Sequence, residues 1–312
     1  MPGAYAHITL VNQFRGTNRL DSLVGLPNEV KSVFLDWFMY CELGAVSPDY
    51  PYLAVGDSDA AQWANLMHYT HTGKIIHAGI KQLRLLQGAA QSKCLVWLLG
   101  YTAHVIADVT IHPIVELKVG TYDDNKTDHR ICEMNQDAYI FPRLGVGETG
   151  LADHLESGIA ACSDTEDEDL LDRDIVKFWS AMLKEIHPEE FVSNPPDIDK
   201  WHNGFNVVVE TISELGDHLF PFARHLAADS GMTYPSYEGV DRQYIDNLVT
   251  PTGHDSYDDI FDKAVANIGQ AWEYVANAVL NNDNEYVAQI VDWNLDTGRD
   301  EAGEIQFWRN LA

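Results

Sequence analysis

The sequence predicts an all-α fold on three observations. Apolar residues recur at helical spacing, strand-like alternation is nearly absent, and turn-forming residues gather into a few discrete breaks. Asn28 to Cys41 is the first helix expected from an apolar stripe, formed by Val30, Val33, Phe34, Trp37, Phe38 and Cys41. Thr72 to Leu86 repeats the pattern through Ile75, Ile76, Ile80 and Leu83. Ser92 to His112 is the longest apolar segment, and Pro113 is expected to stop it, because proline disfavours helical geometry in the residue before it. Further helices are expected over 168–186, 203–226, 256–281 and 284–294, with breaks at 44–62, 118–128, 142–150, 193–200 and 229–254. The last break, with Pro235, Pro251 and three glycines, is the expected boundary between a domain over 1–230 and a helical extension or cap over 231–312. The acidic run Asp164 to Asp169 fits a solvated loop leading into a helix, whose amino-terminal dipole favours acids.

Composition narrows the function classes. Apolar residues make up 46% of the 312, enough for a packed core. Against 48 acidic residues stand 20 Lys and Arg, a formal net charge of −28. Such a surface repels polyanions, which argues against duplex nucleic acid and against docking on anionic membranes. A cluster of divalent cations would still make one pocket locally positive. The start of the sequence lacks the basic and apolar pattern of a secretory signal, and no stretch approaches the ~20 apolar residues of a membrane span. Cys41, Cys94, Cys132 and Cys162 lie far apart, as isolated thiols do, and the expected location is the cytoplasm.

Thirteen histidines are placed unevenly. His104, Asp108 and His112 follow at i, i+4 and i+8, so they share one face of an otherwise apolar helix. Imidazole with carboxylate suits zinc, and a buried Asp is costly unless paired or metal-bound. The alternative for this trio is a hydrogen-bonded core. His129 and Glu133 form an HxxxE pair. Other pieces are Ser47-Pro48-Asp49-Tyr50-Pro51, a turn-rich segment offering a carboxylate, then Met67-His68-Tyr69-Thr70-His71 and Tyr5-Ala6-His7. Each alone has a bland reading as turn, surface or core.

Taken in order, these pieces resemble the ligand series of the zinc-dependent phospholipase C and P1-type nuclease superfamily. The series here is His7, Asp49, His68, His104 with Asp108, His112, then His129 with Glu133. Gly100-Tyr101-Thr102-Ala103-His104-Val105-Ile106-Ala107-Asp108 carries the local likeness, and the short gap from Asp108 to His112 looks like the branch holding glycosylphosphatidylinositol-specific phospholipase D. The resemblance implies a multi-helix bundle with two or three zinc ions. Asp49, His68, His104 and Asp108 would hold one ion, and His112, His129 and Glu133 a second. The third would take His7, Asp108 as a bridge, and the amine and carbonyl of the first residue. Asp49 is the candidate to orient or deprotonate the attacking water. Tyr50 matches an aromatic that helps hold choline in phosphatidylcholine-cleaving relatives, Asn65 stands where their second aromatic falls, and His71 is a further candidate substrate contact.

The implied reaction is hydrolysis of a phospholipid or related phosphodiester by a metal-activated water. Two readings remain beside it: a P1-nuclease-like hydrolase of nucleotides or small phosphodiesters, and a non-catalytic metal-binding interaction protein. Asp292 to Gly298 begins like a calcium loop, but its glycine comes one position late and Gly303 stands where the last carboxylate belongs, so a polar turn is expected.

Overall fold

A computed structural model describes residues 3–145, 154–155, 157–215 and 235–308. Among these residues the chain is all-α apart from two short hairpins, as expected. It opens with α1 (Ala4–Asn12), α2 (Thr17–Ser22), α3 (Asn28–Asp36) and α4 (Phe38–Val46). The single helix expected over 28–41 is thus two, parted at Trp37, whose φ of −118° and ψ of 24° are not helical. The break expected over 44–62 is largely helical. A 3₁₀ helix runs over Ser47–Leu53, and α5 (Ser58–Tyr69) follows, its first amides satisfied by the Asp57 carboxylate.

Beyond these come α6 (Thr72–Leu83) and α7 (Gly88–Val119). Pro113 does not stop α7. A proline removes one donor, its own, and so deprives the Val109 carbonyl of a partner four residues back. Around that point the carboxyl-terminal part of the chain closes on the helix, and the Trp308 indole donates to the Thr110 carbonyl at 2.8 Å. The helix ends instead at Gly120, where φ is +91°. It is long and apolar enough to cross a membrane by composition, contrary to the expectation that no stretch approaches a span, but its apolar window is wholly buried in the protein.

Several helices enclose α7, α4 the most extensively. At the crossing with α4, a Cβ on Gly44 would lie 2.1 Å from the Trp97 carbonyl oxygen, and one on Gly100 would lie 2.1 Å from that of Cys41. Only glycine permits this approach. Then follow α8 (Lys126–Ile140), α9 (Arg173–Ile186), α10 (Pro188–Ser193) and α11 (Ile198–Leu215). The helix expected from 168 begins later, where Asp172 caps Asp174 and Ile175. The expected continuation of the 203–226 helix past 215, the first six residues of the 229–254 boundary, and 146–150 lie outside the described residues.

The antiparallel strands β1 (Leu248–Thr250) and β2 (Gly253–Asp255) lead to α12 (Tyr257–Asn281), which opens with a capping box between Ser256 and Asp259. It packs on α7, where the Trp272 indole donates to the Leu99 carbonyl at 2.7 Å. The helix expected over 284–294 is cut to α13 (Asn284–Val287). Its remainder enters a second hairpin, β3 (Trp293–Asn294) with β4 (Arg299–Asp300), joined by the expected polar turn. All four cysteines are buried free thiols.

Candidate metal centre

Five elements bring the predicted ligands together. His7 comes from α1, Asp49 from the 3₁₀ helix, and His68 from the last turn of α5. His104, Asp108 and His112 line one face of α7, and His129 and Glu133 stand on α8. All eight are buried. His7 Nε2 lies 3.3 Å from Asp108 Oδ1, and His104 Nε2 lies 3.4 Å from Asp108 Oδ2. His68 Nε2 lies 3.4 Å from Asp49 Oδ1 and 3.4 Å from His104 Nε2. The rings of His7 and His104 stack at 4.0 Å. The ligand atoms of His7, His104 and Asp108, and those of Asp49, His68 and His104, each fall within 4.8 Å of one another. The third set is looser, with Glu133 Oε1 at 3.8 Å from His112 Nε2 and 4.0 Å from His129 Nδ1.

Main-chain carbonyls decide how the rings are protonated. His68 Nδ1 sits 2.6 Å from the Ala64 oxygen, His104 Nδ1 2.8 Å from that of Ala45, and His112 Nδ1 2.5 Å from that of Leu295. His129 uses Nε2 instead, 2.6 Å from the Gly120 oxygen. A carbonyl only accepts, so each of these nitrogens carries the hydrogen and the other nitrogen of a neutral ring is bare. The bare nitrogens of His68 and His104 then face each other across 3.4 Å, an arrangement that needs a cation between them. Both oxygens of Asp49, both of Asp108, both nitrogens of His7 and Nε2 of His112 are buried without a hydrogen-bond partner. Orphaned donors and acceptors of this kind are costly unless something coordinates them, so the residues fit divalent metal.

The charges agree. Burial works to raise the Asp108 carboxyl, but the adjoining imidazoles of His104 and His7 overcome it and hold it well below the usual range. Asp49 is likewise lowered against burial, by the close approach of His68 and the charge of His104. Burial works to depress His104, yet Asp108 and Asp49 raise it. His7 falls to about 4 through burial and its neighbour His104. Glu133, farther from these imidazoles, is pushed up to about 7 by burial.

Beside this centre opens a pocket of about 740 Å³ lined by Tyr52, Asn65, Tyr69, Glu116, Tyr122 and Asp296, among others. Tyr52 and Tyr69 approach the His68 ring, and Tyr122 lies edge-on to His129 at 5.4 Å. Asn65 is in the pocket, accepting from the Tyr52 hydroxyl at 2.9 Å. Tyr50 is not. Its ring is buried against Trp179, His202 and Phe205, and its hydroxyl meets His202 Nδ1 at 3.0 Å, outside this pocket. The reason is the 3₁₀ repeat of three residues per turn, which puts Asp49 and Tyr52 on one face and turns Tyr50 away. That spacing was available in the sequence, but a turn-rich reading of the segment hid it. His71 also stands apart from this pocket, exposed at the start of α6 with φ +58° and paired with Asp292 at 3.3 Å. Asp296 had no local signal, since the fold brings it from far along the chain. The amine and carbonyl expected to complete the third site lie outside the described residues.

The family model for zinc dependent phospholipase C matches residues 6–189, a stretch that holds all eight of these side chains. No curated protein and no solved structure matches the chain. The match spans more than half of the sequence and coincides with buried His and Asp groups able to hold metal, and the chain therefore belongs to the zinc-dependent phospholipase C family.

Proposed function

We propose that the protein is a zinc-dependent phosphodiester hydrolase whose substrate is a phospholipid or a related small phosphodiester. The observation that carries the reading is the set of buried, partnerless ligand atoms on His7, Asp49, Asp108 and His112, gathered beside an open pocket. Asp49, His68, His104 and Asp108 would hold one ion, and His112, His129 and Glu133 a second. His7 with the bridging Asp108 would serve a third. Zinc, when bound, supplies Lewis-acid stabilisation of phosphoryl charge and makes water acidic enough to attack near neutral pH.

The chain's own residues supply the rest. Asp49, ionised and with both oxygens free of hydrogen bonds, is suited to orient a water or take its proton. The main-chain carbonyls on His68, His104, His112 and His129 fix each ring so that its bare nitrogen faces the centre. Tyr52, Tyr69 and Tyr122 offer aromatic faces to the alcohol part of a substrate.

The pocket also weighs on the two other readings. A structural zinc site is normally closed by its protein ligands, whereas a pocket opens one side-chain layer from this cluster, at Tyr52 beside His68 and Tyr122 beside His129, which favours catalysis over a purely structural role. Glu116, Asp123 and Asp296 line the pocket with Lys126 as its cation, a poor match for a nucleic-acid strand. The test is zinc content per chain, with hydrolysis of bis-p-nitrophenyl phosphate, in wild type and in His104→Ala/Asp108→Ala. Two or three zincs lost together with activity support the reading. A wild type that binds no zinc and stays inactive when zinc is added sinks it.

A further inference from the structure

The family match stops at residue 189, yet one wall of the centre comes from far beyond it, in the turn between β3 and β4. Leu295, fully buried in that turn, touches two of the candidate ligands at once. Its N–H donates to the His68 carbonyl at 3.0 Å, and its own carbonyl accepts from His112 Nδ1 at 2.5 Å. The same residue therefore ties the end of α5 to a ligand on α7.

The turn is fastened on every side. The Thr72 hydroxyl donates to the Trp293 carbonyl at 2.9 Å and accepts from the Trp293 amide at 2.8 Å. Asn294 Oδ1 accepts from the amides of Asp296 and Thr297 at 3.0 and 3.1 Å, which closes the loop that presents Leu295. The Tyr69 hydroxyl, one residue past His68, donates to Asp296 Oδ2 at 2.8 Å. Gly298, at φ +65°, lies so near α7 that a Cβ would stand 2.5 Å from Pro113 Cγ and 2.6 Å from the Val109 carbonyl oxygen.

We propose that the β3–β4 hairpin is a working part of the metal centre, with Leu295 as the positioning residue that locks His112 in its Nδ1–H tautomer and turns Nε2 toward Glu133. This rests on the zinc reading above. An imidazole without such a partner rotates and exchanges its proton between the two nitrogens, and partners behind metal ligands typically contribute about 10–100-fold in metal affinity. The effect belongs to the ion at His112, His129 and Glu133, because His104 takes its carbonyl from Ala45, outside the hairpin.

Two variants of the full chain test it. Asn294→Ala is exposed and touches none of the ligands, but it removes the loop's closure. Gly298→Ala drives the hairpin off α7. Zinc per chain and the dissociation constant of each ion would be measured by chelator competition, with His112→Ala as the reference for loss of this ion. The His112 tautomer would be read from nitrogen-15 histidine spectra of the zinc-loaded protein. The expected result is that both variants hold the His112 ion about 10–100-fold less tightly, keep the ion at Asp49 and His68, and lose the fixed Nδ1–H signal. Dissociation constants within about twofold of wild type in both variants, with the tautomer unchanged, overturn the proposal. Should Gly298→Ala lose its helical circular dichroism, Asn294→Ala decides. A wild type that holds no zinc at all overturns the zinc reading, and this inference with it.

Discussion

Asp108 sits between His7 and His104 with both oxygens otherwise unpartnered, and that single residue sets the energetics of the centre. Without an ion, its charge and that of Asp49 are buried against imidazoles that cannot all be protonated. Metal held by the native state alone stabilises it by about 2.7 kcal/mol at a concentration a hundredfold above the dissociation constant. Chelation is therefore expected to lower the thermal midpoint of wild type clearly, and to lower that of Asp108→Asn less, because the ion at His112, His129 and Glu133 does not use Asp108, as read by circular dichroism melts. An equal drop in both proteins would contradict the assignment of Asp108. Glu133 adds a pH dependence. Its native value, about 7, lies above the ordinary 4.5, so between these values the native state holds a proton that the unfolded chain has released. Metal-free stability from this group is present at low pH and is lost as pH rises through about 7. Zinc must displace the same proton, so the ion at His112, His129 and Glu133 should weaken by about tenfold per pH unit as pH falls below that value. Burial holds His129 below its ordinary value, so it competes less for a proton over the same range. Chelator titrations at several pH values would show the slope, and in Glu133→Gln it should flatten.

At the scale of elements, the crossing of α4 and α7 carries the site as much as any ligand does. The carbonyl that orients His104 belongs to Ala45, next to Gly44, and Gly100 is one turn before His104 on the partner helix. Gly100→Ala would force the two backbones apart, at a cost of about 1–3 kcal/mol typical of overpacked cores. It should also loosen the Ala45–His104 hydrogen bond, so zinc affinity and stability are expected to fall together. A variant that melts lower yet binds zinc as wild type does would separate the crossing from the site. This crossing also marks where sequence reading stops. The spacing of His104, Asp108 and His112 was visible because helical period and ligand geometry are both local. The length of α7 was hidden because a proline inside a helix costs one hydrogen bond, a loss that the packing of distant parts of the chain around that turn can offset. The split at Trp37 was hidden because the apolar stripe of 28–41 continues across it, serving two helices that pack on different neighbours. The 284–294 segment was taken for helix from its apolar residues, but Trp293 and Leu295 are buried by pairing with β4 and wedging between α5 and α7. Such partners are chosen by the tertiary fold and leave no local period.

The whole molecule bears a formal charge of −28, and the pocket repeats that sign on a small scale through Glu116, Asp123 and Asp296 against Lys126. Bound zinc reverses the sign only where it sits. A phosphodiester approaching the centre therefore passes a negative rim before it meets a positive floor, and the remainder of the substrate stays at the rim. An alcohol portion bearing an ammonium is attracted there and can lie against the tyrosine faces, whereas one bearing a further phosphate is repelled. Fields of this kind change encounter rates by about 10–1000-fold at low ionic strength and fade once the screening length falls to about 8 Å near physiological salt. The expected outcome is a kcat/KM for p-nitrophenyl phosphorylcholine that exceeds that for a dinucleotide at low salt, with the ratio shrinking as sodium chloride is added. Asp296→Asn removes one rim charge while leaving the Leu295 carbonyl in place, so it should narrow the ratio at low salt and leave the high-salt values nearly equal to wild type. A ratio that ignores both salt and Asp296→Asn would mean that selection is made by shape at the zinc floor, and the acidic rim would then have no part in choosing the substrate.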